Sequence, residues 1–121
     1  MNIKSRIPKD FYRLFNSKYV EYFQRILIAL YEQSASSYSL LGLTEEECQD
    51  TIELEISAFT MDFSQSELEE EGELFTRANM ASVMLRKLEE WGWLRRDYDE
   101  TLNCYVVSFP DYSQMFTELF T

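Results

Sequence analysis

LRKLEEWGWLRRDYDETLNCYVVSF, Leu85 to Phe109, is the stretch whose reading decides the fold. Leu85, Leu88 and Trp91 keep helical spacing, and Gly92 stands where a left-handed cap ends a helix. The period then changes from helical to alternating. Trp93 to Asp97 and Cys104 to Phe109 read as two strands, rich in aromatic and β-branched residues and joined across Asp99–Leu102. Upstream, Ala78 and Ala81 extend the apolar stripe with Met84 at its flank, so the helix is expected over about Phe75 to Trp91.

Farther upstream, Thr44-Glu-Glu-Glu47 is a capping box, in which the threonine hydroxyl and the third glutamate satisfy each other's amides. Cys48, Ile52, Ile56, Phe59 and Phe63 follow at helical spacing and predict a helix from Glu45 to Phe63. Its polar residues Glu46, Gln49, Asp50 and Glu53 face away from that stripe. Before it, Ser17 caps a helix expected over Lys18 to Gln33. From Ile26 onward that helix is apolar nearly all round, so other parts of the domain or another chain must cover it on more than one side. Ile7-Pro8 and Asp10 open a short helix carrying Phe11, Leu14 and Phe15. Downstream, Pro110-Asp111 starts a last helix with apolar Tyr112, Met115, Phe116, Leu119 and Phe120. The order predicts a mainly α chain with a small β-hairpin: a winged helix, that is a helix-turn-helix plus wing, with an N-terminal helical extension. Residues 1–121 are expected to form one domain, and the unfinished last helix predicts an N-terminal fragment of a longer protein.

Composition narrows the function classes. The 121 residues suffice for one core, and 45% hydrophobic content with three glycines and two prolines describes an ordered chain. There is no histidine, which removes the commonest general base and metal ligand. No catalytic, cofactor-binding or metal-binding residue is expected. Cys48 and Cys104 lack CxxC spacing and read as buried free thiols. Nothing after Met1 resembles a signal peptide. The densest apolar run, Ile26 to Tyr31, is far below the roughly 18 residues of a membrane span. The expected location is the cytoplasm.

The formal charge of -11 is unevenly placed. Thr44 to Glu73 holds twelve acidic residues and no base; the remainder has ten acids and eleven bases. The run Glu67, Glu69, Glu70, Glu71, Glu73 lacks the grammar of a calcium loop and predicts a solvated loop.

Duplex DNA is the obvious ligand of a winged helix, read by the helix before the wing. That helix offers Arg77, Asn79, Arg86 and Lys87, but Glu89 and Glu90 follow. On the wing, Arg95 and Arg96 run into Asp97, Asp99 and Glu100. No basic face meets a duplex carrying a phosphate charge about every 1.7 Å, so direct duplex binding is not expected. Trp91, Trp93, Tyr105 and Phe109 are expected under the wing. Phe11, Tyr12, Phe15, Tyr19, Tyr22 and Phe23 form a denser aromatic group than one small helix pair buries easily, which leaves either core or an anchor patch for a partner. The candidate interface is Phe11, Phe15, Tyr19, Tyr22, Phe23, Ile26 and Leu27. It predicts a symmetric homodimer on the first two helices, unless the last helix folds back over them within one chain.

IPKDFYRLFNSKYVEYFQRILIALYEQ (7–33) and LRKLEEWGWLRRDYDETLNCYVVSFPDYS (85–113) together resemble the N-terminal winged-helix domain of the JetA family. These are kleisin-like subunits of bacterial Wadjet defence systems, similar to the MukF kleisins of SMC condensins. The resemblance implies a dimerising, non-catalytic module in a plasmid-defence complex, with an SMC-like ATPase and a KITE-like subunit as partners. It implies no catalytic residue here, since the family's ATPase and nuclease centres lie on other subunits. A winged-helix transcriptional regulator is the alternative, and an enzyme built on the Glu45–Glu73 carboxylates the third.

Overall fold

Thr44 and Glu47 close the reciprocal cap that their spacing predicts. The Glu47 amide donates to Thr44 Oγ1 at 3.1 Å, and the Thr44 amide donates to a Glu47 carboxylate oxygen at 2.9 Å. From this cap runs one of five helices in a computed structural model that describes residues 7–17, 19–36, 42–58, 68–70, 73–75 and 79–121. The helices are α1 (Arg13–Asn16), α2 (Val20–Ser36), α3 (Glu45–Ala58), α4 (Met80–Glu90) and α5 (Asp111–Phe120). The strands are β1 (Leu43–Thr44), β2 (Leu68–Glu70), β3 (Glu73–Phe75), β4 (Arg95–Asp99) and β5 (Cys104–Ser108).

The element sequence α2, β1, α3, α4, β4, β5 and the antiparallel sheet order β1-β5-β4 make this a mainly α, winged-helix-like fold. The wing register pairs Arg96 with Val107 and Tyr98 with Tyr105, and β1 adds Leu43 opposite Val107. Two residues are too short a strand to show a period, so β1 was invisible in the sequence. At the other end of the hairpin, Asp99 accepts a hydrogen bond from the Leu102 amide at 2.9 Å.

Gly92 has φ 84° and ends α4 as a left-handed residue. The Gly92 amide donates to the Glu89 carbonyl at 3.1 Å and the Trp93 amide to the Leu88 carbonyl at 2.9 Å, the two bonds of a Schellman cap. A side chain at Gly92 would also meet Pro8, whose Cγ lies 2.5 Å from the position of a Cβ.

α2 is the central helix. It packs against α1, α3 and α5, which bury Phe23, Ile26, Leu27 and Leu30 and leave Tyr22, Ile28, Ala29 and Tyr31 half-buried. Ser17 caps it, accepting from the Tyr19 amide at 3.0 Å. α5 is tied down at both ends: the Tyr112 hydroxyl donates to the Gly92 carbonyl at 2.8 Å, and the Tyr31 hydroxyl of α2 donates to Glu118.

Several expectations need correction. The acidic run is not all loop, because Leu68–Glu70 and Glu73–Phe75 pair as an antiparallel hairpin. In the sequence, apolar Leu68, Leu74 and Phe75 flank the dipeptide Glu71-Gly72, a hairpin signal that the glutamates obscured. Phe75 therefore belongs to β3, and α4 begins at Met80. α3 is described to Ala58; the predicted stretch through Phe63 lies outside the described residues, as do Glu67, Glu71 and Arg77. Tyr105 is 45% exposed rather than beneath the wing, and Phe109 and Cys104 are only half-buried, while Cys48, Trp91 and Trp93 are enclosed.

Candidate functional site

α4 occupies the position from which a winged helix reads a duplex. Met80, Ala81, Val83, Met84, Leu85, Lys87 and Leu88 are all buried on it. Ser82, Arg86 and Glu90 remain as one narrow exposed stripe at four-residue spacing. Arg86 pairs with Glu90 at 3.8 Å, which takes one cation out of play. On the wing, Arg96 lies 2.8 Å from a Glu45 oxygen and 3.9 Å from Glu89, and its guanidinium stacks 4.1 Å from the centre of the Tyr105 ring. Burial raises the Glu89 carboxyl above the usual carboxylate range, opposed by Arg96 and reinforced by Glu45 and Glu90. Three elements thus converge on Arg96, and its charge is spent inside the chain.

The seven residues singled out as a partner interface do not form one surface. Phe11, Phe23, Ile26 and Leu27 are completely enclosed, and Tyr19 is buried with them. Only Phe15, 41% exposed, and the half-buried Tyr22 retain contact with solvent. The covering is α5 and the wing base, as the fold-back alternative requires. The Phe11 ring stacks on Trp93 at 3.8 Å and meets Phe116 at 5.1 Å and Tyr112 at 5.3 Å. Phe23 meets Trp91 at 5.2 Å. The aromatic density that suggested an anchor patch is the cement between the N-terminal extension, the wing and α5.

A different apolar face is left in its place. Tyr12, Phe15, Met115 and Leu119 are exposed, the last two at 67% and 79%. The Phe15 ring lies 6.4 Å from Phe116 and 6.3 Å from Phe120, which joins this face to the core beneath it. The sequence signal was the width of the apolar pattern on the last helix. Tyr112, Phe116 and Phe120 suffice to pack it, so Met115 and Leu119 are surplus.

Among the described residues no helix is long and apolar enough to cross a membrane, and no group of three or more acidic or cysteine side chains is placed to hold a metal ion. No curated protein sequence and no solved structure gives a significant match to the chain. The family model described as Wadjet protein JetA matches residues 29–121, a span that takes in the C-terminal half of α2, the rest of the winged helix and α5. With the helix–strand order in place and more than half of the chain matched, this chain belongs to the Wadjet protein JetA family.

Proposed function

We propose that this chain is a non-catalytic assembly domain of a kleisin-like subunit in an SMC-type, cytoplasmic anti-plasmid defence complex. The observation that carries the proposal is the membership of the JetA family combined with an α4 turned inward, its bases paired or buried. A domain with those properties acts by holding other proteins. Its partners are an SMC-like ATPase and a KITE-like subunit in the whole complex, together with a second copy of itself. A DNA-reading regulator fits the topology equally but is poorly served by an exposed α4 stripe that ends in an Arg86–Glu90 pair. Self-association would use Tyr12, Phe15, Met115 and Leu119, which are the large apolar side chains exposed on α5 and the segment around α1.

Light scattering coupled to size exclusion, with a plasmid-clearance assay of the complete defence system, tests the reading. We expect twice the 14.5 kDa chain mass at tens of micromolar. Leu119→Glu should return the chain to a monomer with an unchanged circular dichroism spectrum and abolish clearance. A wild-type mass near 14.5 kDa would remove the dimer, and clearance unaffected by Leu119→Glu would remove this face from the assembly.

A further inference from the structure

Between α3 and the wing lies an open cleft of about 570 Å³. Glu46, Asp50 and Glu53 line one wall; their spacing puts all three on one face of α3, and all three are exposed. The other wall is Tyr98 and Tyr105, directly opposed in the wing register with rings 5.2 Å apart, edge to face. No described lysine or arginine is among the lining residues. Two tyrosines half in water beside three carboxylates are an unusual use of wing surface, since neither set packs a core.

The chain's own Arg96 shows what such walls recognise. Its guanidinium is held between the Glu45 carboxylate, 2.8 Å away, and the Tyr105 ring, 4.1 Å away, and both of those residues line the cleft. A planar cation with donors at its edge and a face for stacking satisfies both walls together, which an ammonium does less well. The rest of the cleft offers the same two kinds of group, the carboxylates of Glu46, Asp50 and Glu53 and the ring of Tyr98. We infer that the cleft between α3 and the wing is a docking site for an arginine-bearing extended segment of a partner protein, with α3 supplying the carboxylates and Tyr98 a stacking face. The inference goes beyond the assembly reading, and its failure would leave self-association and plasmid clearance untouched.

Fluorescence anisotropy with a labelled peptide of alternating arginine and glycine, and its lysine and serine counterparts, tests the site. The arginine peptide should bind best and the serine peptide least. Asp50→Asn with Glu53→Gln should weaken the arginine peptide at least about tenfold, while Glu21→Gln with Glu32→Gln, an equal charge change on α2, should weaken it less than about twofold. Tyr98→Leu should erase the preference for arginine over lysine. Circular dichroism melting verifies that each variant is folded; these side chains are exposed, so all should be. Equal weakening by the two double variants would overturn the proposal, since attraction to the net charge alone would then explain binding. So would arginine and lysine peptides binding alike, or no arginine binding by about 1 mM. Loss of self-association in the Asp50→Asn, Glu53→Gln variant would overturn it in favour of a second copy of the chain.

Discussion

The indole of Trp93 lies flat on the ring of Phe11, 3.8 Å between centres and 14° from parallel, and its Nε1–H donates to the Phe11 carbonyl at 2.8 Å. Eighty-two residues separate the two, so this contact is what fastens the N-terminal extension to the root of the wing. Both side chains are fully enclosed. Trp93→Phe keeps much of the stacking area but leaves a buried carbonyl without its donor, at an expected loss of about 1–3 kcal/mol. Phe11→Ala removes the ring and should lose about 3–5 kcal/mol. Urea titrations followed by circular dichroism measure both. A loss below about 0.5 kcal/mol for Phe11→Ala would mean that the extension lies outside the cooperative unit.

How much of this was legible follows from the range of each interaction. The Thr44–Glu47 cap and the Gly92 stop are formed within a few residues of chain, and the sequence spells them out. The aromatic group from Phe11 to Phe23 was recognised as dense, but density does not say what covers it. Its cover includes Phe116 and Tyr112, roughly a hundred residues downstream, and no local pattern links those positions. Tyr105 shows a related limit. It shares the Val107 side of β5, so alternation places it inward, yet it lies toward the tip of the wing, where the cleft and not the core faces it. Glu46, Asp50 and Glu53 were correctly read as facing away from the α3 core stripe. That Tyr98 and Tyr105 stand across from them is a product of tertiary structure alone.

Cys48 should be chemically silent in the native state. Burial, reinforced by Glu47, Glu89 and Glu45, pushes its thiol up to about 12, so at pH 8 only about one part in 10⁴ would be thiolate. Cys104 is half-buried and serves as the internal comparison. Iodoacetamide at pH 8, read by peptide mass spectrometry, should modify Cys104 well before Cys48, with Cys48 reacting only on addition of denaturant. Equal native rates would show that the α3 end of the core opens readily.

Glu89 should make folding more favourable as the solution is acidified from neutrality. Its carboxyl is raised above its ordinary value of 4.5, chiefly by burial. The native state therefore binds that proton more tightly than the unfolded chain, and the cost of keeping the carboxylate charged is relieved as pH falls through the raised native value toward 4.5. Glu89→Gln removes the titration. The stability of the wild type minus that of the variant should move in favour of the wild type between pH 7 and pH 5, measured by urea unfolding at each pH. A difference that is flat, or that moves the other way, would place the Arg96 attraction above burial as the dominant influence on Glu89.

The chain should not bind duplex DNA appreciably at physiological salt. Non-specific binders with dissociation constants of about 10⁻⁴ to 10⁻⁶ M work by neutralising phosphates with a contiguous basic face. Here the net charge is -11, and on the candidate reading helix Ser82, Arg86 and Glu90 are the exposed residues, with Glu89 partly buried beside them. Arg86 is paired with Glu90, and Arg96 is committed to Glu45, Glu89 and Tyr105. On the wing Arg95 is exposed, but Asp97 lies two residues along the same strand. Displacing the glutamates to free these arginines would bring their carboxylates to the phosphates, which adds repulsion as fast as attraction. Anisotropy of a labelled duplex in about 0.15 M salt should therefore stay flat to roughly 100 µM protein. Glu89→Gln with Glu90→Gln should raise the signal only slightly, because α4 still presents a single stripe. A low-micromolar, salt-sensitive affinity in the wild type would show that α4 and the wing read a duplex despite the charge, and would return the domain to the DNA-binding class.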